Sequence, residues 1–220
     1  MTDALAGKAA GDAQANPVAA ALLAAVARHR LPVELLAALV AARRFDLYDD
    51  PMRTLADFNG YARATSSVLI ELAARILAGS EAQDFGPLAL HAGLGYATAG
   101  LLQAFPFHAA RGQLFLPIEV LGRHGAGRQE VAAKVASAQL RAACAELRGH
   151  AREHLAQASR LVAGVPAAGL PALLPVALAR PVLDRMERAD YDPFMPAELP
   201  QWRRQWLLWR AARRPSRIFA

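Results

Sequence analysis

Several kinds of segment are scarce or missing in this sequence. It contains one cysteine, Cys144, which excludes an internal disulfide and favours a reducing compartment. The N-terminus lacks the basic region and apolar region of a secretory signal. No uninterrupted apolar run reaches the ~18–20 residues that cross a bilayer, because prolines interrupt the nearest candidate, residues 165–179. These absences predict a cytoplasmic protein that is soluble or peripherally attached to a membrane.

Runs of β-branched residues are also scarce, while Ala and Leu dominate the apolar positions. Arg, Glu and Gln fill the polar positions, and this composition is typical of helices. A chain of 220 residues that is 55% hydrophobic is long and apolar enough for one sizeable core. The sequence contains no repeat of about 20–50 residues, so a solenoid is not expected. The sequence therefore predicts an all-α protein built as a helical bundle.

Acidic residues are absent from residues 201–220, which contain six arginines, while the rest of the chain has 19 basic and 19 acidic residues. A nucleic-acid-binding protein spreads its positive charge over a face of the fold, so we expect no nucleic-acid partner. The C-terminal segment instead forms a basic amphipathic helix with three tryptophans at spacings i, i+4 and i+7. Such a helix suits an anionic membrane or an acidic partner. Alternatively, the tryptophans pack on the bundle and the arginines are solvated. The contact residues predicted here are Trp202, Arg203, Trp206, Trp209 and Arg210.

Capping and proline signals predict the helices. The predicted organisation is a partly disordered N-terminus at 1–15, a helical domain at 16–199 and the C-terminal helix at 200–220. In the first half, helices are expected from Pro17, after Pro32 and from the Thr54/Asp57 capping box to Leu77. A buried helix is expected from Asp84 and breaks at Pro106, and a short helix begins at Pro117. A long helix is then expected from Arg128 to Ala163, followed by a loop at 164–178 that leads into a kinked helix.

Two clusters and one cysteine are candidates for metal binding or catalysis, and each has a simpler structural interpretation. Asp46, Asp49 and Asp50 could hold Mg²⁺, but they resemble a solvated loop or a helix cap. His150 and His154 lie one helical turn apart, yet without a third ligand they predict an exposed helical face. Cys144 lies on an Ala-rich helix, which predicts a buried filler.

Residues 55–125 resemble the squalene/phytoene synthase family of isoprenoid synthases. TLADFNGYARATSSVLIELAARIL resembles a family helix with a tyrosine followed by small residues. LHAGLGYATAGLLQAF followed by RGQLFLPIEVL resembles the family's diphosphate-binding helix and the R-G-x-x-Y-L-P turn after it. The resemblance implies an isoprenoid-synthase-like bundle. MTDALAGK resembles the end of a family helix, so the chain is expected to be truncated at its N-terminus relative to the family.

Family enzymes hold prenyl diphosphates through Mg²⁺ bound by two aspartate-rich motifs. The second motif is N-x-x-R-D-x-x-x-D. Aligned on Arg111, this sequence has Gly100 for its Asn, Gln103 for its Arg, and Ala104 and His108 for its two Asp residues. The first motif belongs to helices that precede Met1. The resemblance therefore implies no catalytic residue, no metal and no cofactor here, and Mg²⁺ only if the chain is an enzyme after all.

A non-catalytic branch of the family, associated with assembly of respiratory complex I, is more similar over about residues 16–210. AFPFHAARGQLFLP and ALARPVLDRMERADYDPFMPAEL carry that similarity. It implies a pseudoenzyme that acts as an assembly or scaffold factor at the inner face of the cytoplasmic membrane, with a respiratory-complex subunit as partner. The alternatives are a prenyl-diphosphate transferase and a lipid-binding module. A cavity around Tyr61, Tyr96, Gln103 and His108 is then either filled by side chains or holds an apolar isoprenoid ligand.

Overall fold

The structure is a computed structural model that describes Leu5 and residues 16–48, 50–79 and 85–219. In these residues all regular structure is helical, as predicted. The predicted disorder of residues 1–15 concerns a segment that, apart from Leu5, lies outside the described residues, as do Asp49 and the predicted helix start at Asp84. The α-helices are α1 (Pro17–His29), α2 (Val33–Arg43), α3 (Leu55–Ala62), α4 (Val68–Ala78), α5 (Gly86–Ala110), α6 (Ile118–Arg123), α7 (Arg128–Ala132), α8 (Ala138–Leu161), α9 (Ala179–Met186) and α10 (Gln201–Arg213).

The first helices begin where the capping residues predict. The side chain of Asn16 accepts hydrogen bonds from the amides of Val18 and Ala19, at 3.0 and 3.1 Å. In the capping box of α3, the Asp57 amide donates to Thr54 Oγ1 and the Thr54 amide donates to Asp57 Oδ2, both at 3.0 Å. The sequence therefore locates both helix starts correctly.

The helix from Leu55 ends before Gly79, as predicted, but its middle is not α-helical. Residues Arg63–Ser67 form a π-helix that connects α3 to α4. Thr65 Oγ1 donates to the carbonyl of Tyr61 at 2.7 Å, and Ser67 Oγ donates to the carbonyl of Leu90 on α5 at 3.0 Å. This π segment packs directly against α5.

The prediction of a break at Pro106 is wrong, because α5 continues to Ala110. Proline removes one backbone donor, the one that would reach the carbonyl of Leu102. Leu102 and Phe105 are each 2% exposed, and their burial in the core holds the helix together. The helix ends just before Gly112, which has a left-handed φ of +74° that favours glycine.

The prediction of one long helix from Arg128 to Ala163 is also wrong. The chain breaks after α7, where Lys134 has φ of +54°, and α8 begins after Ser137, whose Oγ accepts from the amide of Leu140 at 3.0 Å. At 24 residues, α8 is one residue shorter than α5, against which it packs most extensively. The α8 residues in the core are Leu140, Ala143, Cys144, Leu147, Ala151, Leu155 and Ala158.

Residues 164–178 are not a loop. Ala167–Leu178 form a 3₁₀-helix that includes Pro171 and Pro175 and continues into α9. Each proline removes one backbone N–H donor, so the segment cannot keep a continuous α-helical hydrogen-bond ladder, and 3₁₀ turns are common in such connecting segments. The segment Ala167–Met186 is long and apolar enough to cross a membrane by length and composition, contrary to prediction. In the fold it packs against α4 and α10, and core segments of other proteins have the same length and apolar composition, so this is weak evidence for a membrane span.

Candidate functional site

The residues that replace the second aspartate-rich motif lie on the C-terminal half of α5. Gly100 is exposed, and a Cβ built there would meet no atom within 4 Å. Gln103 Nε2 donates to the carbonyl of Ala197 at 3.1 Å. Ala104 and His108 are half-buried, and Arg111 is exposed just beyond the helix. The helical frame of the motif is present, but its side chains make different contacts.

His108 belongs to an aromatic cluster that we define as Phe45, Tyr61, His108 and Phe115. The His108 imidazole lies 4.3 Å from the Phe115 ring, centroid to centroid, at an interplanar angle of 35°. Phe115 lies 5.7 Å from Phe45 and 5.9 Å from Tyr61, and the last two rings are 5.8 Å apart. Such offset and edge contacts stabilise aromatic packing. Around His108, side chains therefore fill the space.

Polar groups fix the outer edge of the aromatic cluster. Tyr61 Oη donates to Asp46 Oδ1 at 2.7 Å, and Arg43 Nη1 donates to Asp46 Oδ2 at 3.1 Å and to Tyr61 Oη at 3.3 Å. Burial, reinforced by the hydrogen bond to Asp46, raises the pKa of the Tyr61 phenol well above its ordinary value. Asp46 lies in a 3₁₀-turn, Arg44–Leu47, so it is a bonded structural carboxylate and not the solvated loop residue that the sequence suggests.

The electrostatics of His108 also suit packing. Burial, followed by the positive charge of Arg111, lowers the pKa of His108 below its ordinary value. The imidazole is therefore neutral at neutral pH, which suits its contact with the Phe115 ring. A neutral ring that replaces an aspartate removes a negative charge from this end of the helix.

The other two residues of the predicted cavity lie elsewhere. Tyr96 and Gln103 line a separate cleft of about 270 Å³ between α5, α9 and the segment before α10. The remaining lining residues are Ala99, Gly100, Leu178, Ala179, Val182, Glu198, Leu199 and Arg204. The structure thus brings Tyr61 together with His108, and Tyr96 together with Gln103, but it does not join the two pairs in one cavity.

The residues at the motif positions do not fit Mg²⁺. This ion needs oxygen ligands and usually at least one carboxylate. Gly100 and Ala104 have no polar side chain, the Gln103 amide donates to a backbone carbonyl, and His108 stacks on Phe115. Across the part of the chain that the structure describes, no group of three or more His, Cys, Asp or Glu residues could hold a metal ion.

The structure contains a cluster of His91, His150 and His154, of which the sequence indicates only the His150–His154 pair. Nδ1 of His91 on α5 lies 2.8 Å from Nδ1 of His154, and His150 Nε2 lies 2.8 Å from Asn59 Oδ1. Burial lowers the pKa of His150, and it lowers that of His154 to about 4, helped by the charges of His150 and His91. The prediction of an exposed face for His150 and His154 is therefore wrong. The spacing of His150 and His154 was visible in the sequence, but His91 lies 63 residues away from His154.

Cys144 behaves as predicted. It is 2% exposed on the core side of α8, and burial raises the pKa of its thiol to about 11. A protonated, buried thiol is a packing group and a poor nucleophile.

The C-terminal helix α10 buries Leu207 and Ala211 and leaves its tryptophans outside. Trp202, Trp206 and Trp209 are 69%, 49% and 55% exposed. The interpretation in which the tryptophans pack on the bundle is therefore wrong for these residues. The side of α10 that carries Leu207 and Ala211 packs into the main core.

The fold has the architecture of the isoprenoid synthases. It superposes on squalene synthase HpnC from Alicyclobacillus acidocaldarius with a TM-score of 0.75 and 24% identity, covering 87% of this chain and 71% of that chain. It superposes on a dehydrosqualene synthase with a TM-score of 0.77 and 17% identity, covering 96% of this chain and 74% of that chain. These similarities define the class as an isoprenoid-synthase-like helical bundle.

The sequence profile of the squalene/phytoene synthase family matches residues 1–210, so the chain belongs to that family. Among curated proteins it is similar to NADH dehydrogenase (ubiquinone) complex I, assembly factor 6, from Rattus norvegicus, at 30% identity over 182 residues. The Homo sapiens protein of the same name is 29% identical over 182 residues. Each match covers 83% of this chain and 54% of the relative, so the chain spans about half the length of the curated relatives it matches.

Proposed function

We propose that this chain is a non-catalytic member of its family that acts as an assembly or scaffold factor for a membrane respiratory complex of the complex I type. The similarity to proteins named as complex I assembly factors supports the kind of complex. The proposed partner is a subunit of that complex, and the proposed location is the inner face of the cytoplasmic membrane.

One observation carries the non-catalytic part of the proposal. The two positions that hold aspartates in the family motif are occupied by Ala104 and by His108, which packs on Phe115. Ionisation of a prenyl diphosphate needs divalent cations to neutralise the clustered phosphate charge. The side chains at these positions cannot supply the carboxylates that bind such cations. The bundle therefore keeps the shape of the family without this part of its chemistry.

An apolar isoprenoid group could still bind without turnover in the cleft of Tyr96 and Gln103. Its lining includes Leu178, Val182 and Leu199 beside Gln103. At about 270 Å³, it is slightly smaller than typical ligand pockets, whose volumes are about 300–1,000 Å³. A bound chain would therefore extend partly into solvent.

Co-purification tests the scaffold role. An affinity-tagged chain expressed from its own locus is expected to retain subunits of the respiratory NADH dehydrogenase after mild crosslinking. A tagged Phe115→Ala variant reports whether retention needs the intact bundle. Retention of prenyl-pathway enzymes without any respiratory subunit would contradict the proposal.

The alternative is a prenyl-diphosphate transferase, and a direct assay separates the two. Incubation with farnesyl or geranylgeranyl diphosphate and Mg²⁺ is expected to release no diphosphate. Release that depends on Mg²⁺ and disappears with a chelator would establish the enzyme instead.

A second alternative, a peripheral lipid-binding module, is favoured by the exposed tryptophans of α10. Co-sedimentation with liposomes is expected to depend on residues 200–220. If a chain without those residues sediments equally well, the membrane-binding element lies elsewhere in the bundle.

A further inference from the structure

A wide groove runs between the end of the 3₁₀-helix, α9 and α10, and we call it the arginine groove. Its volume is about 820 Å³, three times that of the Tyr96–Gln103 cleft. Trp206, Leu207, Trp209 and Ala211 form its wall on α10. The arginines that line it, apart from Arg152, are Arg180, Arg203, Arg210, Arg213, Arg214 and Arg217.

These six arginines have no acidic counterpart in the described residues. Asp184 is the acidic residue of the lining, and it pairs with Arg152 at 2.7 Å, while Arg152 also binds Glu187 at 2.8 Å. None of the six makes an ion pair with a described residue. Like charges held close together repel one another, and a bound anion relieves that repulsion.

Two of the arginines are held in place by aromatic rings. The guanidinium carbon of Arg210 lies 4.8 Å from the ring centroid of Trp206, and that of Arg213 lies 4.5 Å from Trp209. A guanidinium stacked on an indole keeps its N–H groups free at its edge. Arginine forks of this kind match the oxygen geometry of a phosphate and bind it through paired hydrogen bonds.

The tryptophans indicate which phosphate compound occupies the groove. A small soluble anion needs no apolar surface, yet Trp202, Trp206 and Trp209 are all about half exposed or more along the same helix. Indole rings favour the boundary between lipid headgroups and acyl chains, and arginines beside them favour anionic lipids. Charge and apolar surface here are therefore combined as a membrane interface requires.

We propose that the arginine groove binds the phosphate headgroup of an anionic phospholipid while the three tryptophans enter the headgroup boundary. This goes beyond attachment by a basic helix, because Arg180 lies on α9 and contributes to the site from a separate element. It is also independent of the assembly role, since it holds whatever protein the chain assists.

The test uses vesicles and three single variants of the full chain. Arg180→Gln and Arg217→Gln each remove one groove charge, from α9 and from the C-terminal turn. Arg204→Gln removes the same charge from α10, but Arg204 lines the Tyr96–Gln103 cleft and not the groove. Circular dichroism and thermal melting show whether each variant folds.

Binding to phosphatidylcholine vesicles containing 30 mol%, and separately 10 mol%, phosphatidylglycerol is measured by sedimentation. We expect the two groove variants to bind about fivefold more weakly than the wild type, the effect of one basic residue near an anionic surface, and Arg204→Gln to lose less than twofold. If all three lose affinity equally, the attraction is diffuse and the groove is not a site.

Inorganic phosphate separates the sources of the ligand. Titration with millimolar phosphate, monitored by tryptophan fluorescence, is expected to give no more than weak binding. Tight phosphate binding that Arg180→Gln abolishes, with no binding to anionic vesicles, would overturn the proposal in favour of a soluble ligand. If the wild-type chain does not bind anionic vesicles at all, the lipid proposal is overturned.

Discussion

The close contact between α5 and the π segment predicts that a larger side chain at Gly93 destabilises the fold. Gly93 of α5 lies against Ser67 of the π segment. A Cβ added at Gly93 would lie 2.3 Å from both Cα and Oγ of Ser67 and 2.5 Å from its amide nitrogen. Because two of these atoms are backbone, no rotamer change can relieve the clash. In the Gly93→Ala variant the two elements must separate by about 1 Å, since ordinary contacts lie at about 3.4–4 Å.

The magnitude combines two opposing effects. Overpacking in a tight core costs about 1–3 kcal/mol, and the involvement of backbone favours the upper end of that range. Alanine in a helix gains about 1 kcal/mol over glycine. The separation also strains the hydrogen bond from Ser67 Oγ to the Leu90 carbonyl, which is 3.0 Å long. The net loss in free energy of unfolding is about 2 kcal/mol, which lowers Tm by about 4–8 °C in a chain of this size.

Gly100 supplies the matched control on the same helix. A Cβ at Gly100 meets nothing within 4 Å, so Gly100→Ala keeps the helix-propensity gain without a clash. Urea unfolding followed by circular dichroism is expected to show Gly93→Ala destabilised and Gly100→Ala stabilised by up to about 1 kcal/mol. Equal stabilisation of both variants would refute the close packing of α5 on the π segment.

Three further predictions concern the histidine cluster, the aromatic cluster and a helix cap. Burial lowers the pKa of His154 in the folded chain from 6.5 to about 4, so the unfolded chain binds more protons between these pH values. The free energy of unfolding is therefore unaffected by His154 above pH 6.5 and decreases as the pH falls towards 4, by ~1 kcal/mol after allowance for solvent exposure. His154→Gln should flatten this slope in urea titrations, and an unchanged slope would count against the cluster. Phe115→Ala should cost about 3–5 kcal/mol, because Phe115 is 8% exposed, whereas Phe107→Ala, at 54% exposed, should change stability by less than ~0.5 kcal/mol. Thr54→Ala should lower Tm through loss of about 1 kcal/mol, while Thr54→Ser should not; equal melting of the two would argue against the cap.

The sequence predicts correctly those helix starts that depend on contacts between residues close together in the chain. The Asn16 cap and the Thr54/Asp57 capping box are local, because each side chain bonds to an amide two or three residues away. The family and the all-α fold were also predicted correctly, since the motif order survives along the chain even where its chemistry is lost.

Features that depend on tertiary packing could not be predicted from the sequence. Pro106 lies inside a helix because buried neighbours hold the helix together, although proline alone predicts a break. Lys134 breaks a pattern that otherwise looks helical, and no glycine or proline marks that position. The separation of His108 from Tyr96 and Gln103 depends on which side of α5 each of these residues faces and on what packs there.

The contacts that define the candidate site join distant parts of the chain. Phe45 meets Phe115 across 70 residues of sequence, and His91 meets His154 across 63. Short motifs carry no information about such pairs. The exposure of the tryptophans was equally undetermined, because an amphipathic pattern shows that a helix has an apolar side but not what covers it.

The most direct test of the assembly role is the level of assembled respiratory NADH dehydrogenase after deletion of the gene. Native gels stained for NADH oxidation measure the intact complex, and NADH:quinone activity in membranes gives a second readout. The proposed function predicts loss of the assembled complex and accumulation of subassemblies, with recovery when the wild-type gene is restored in trans. Normal assembly and activity in the deletion strain would contradict it.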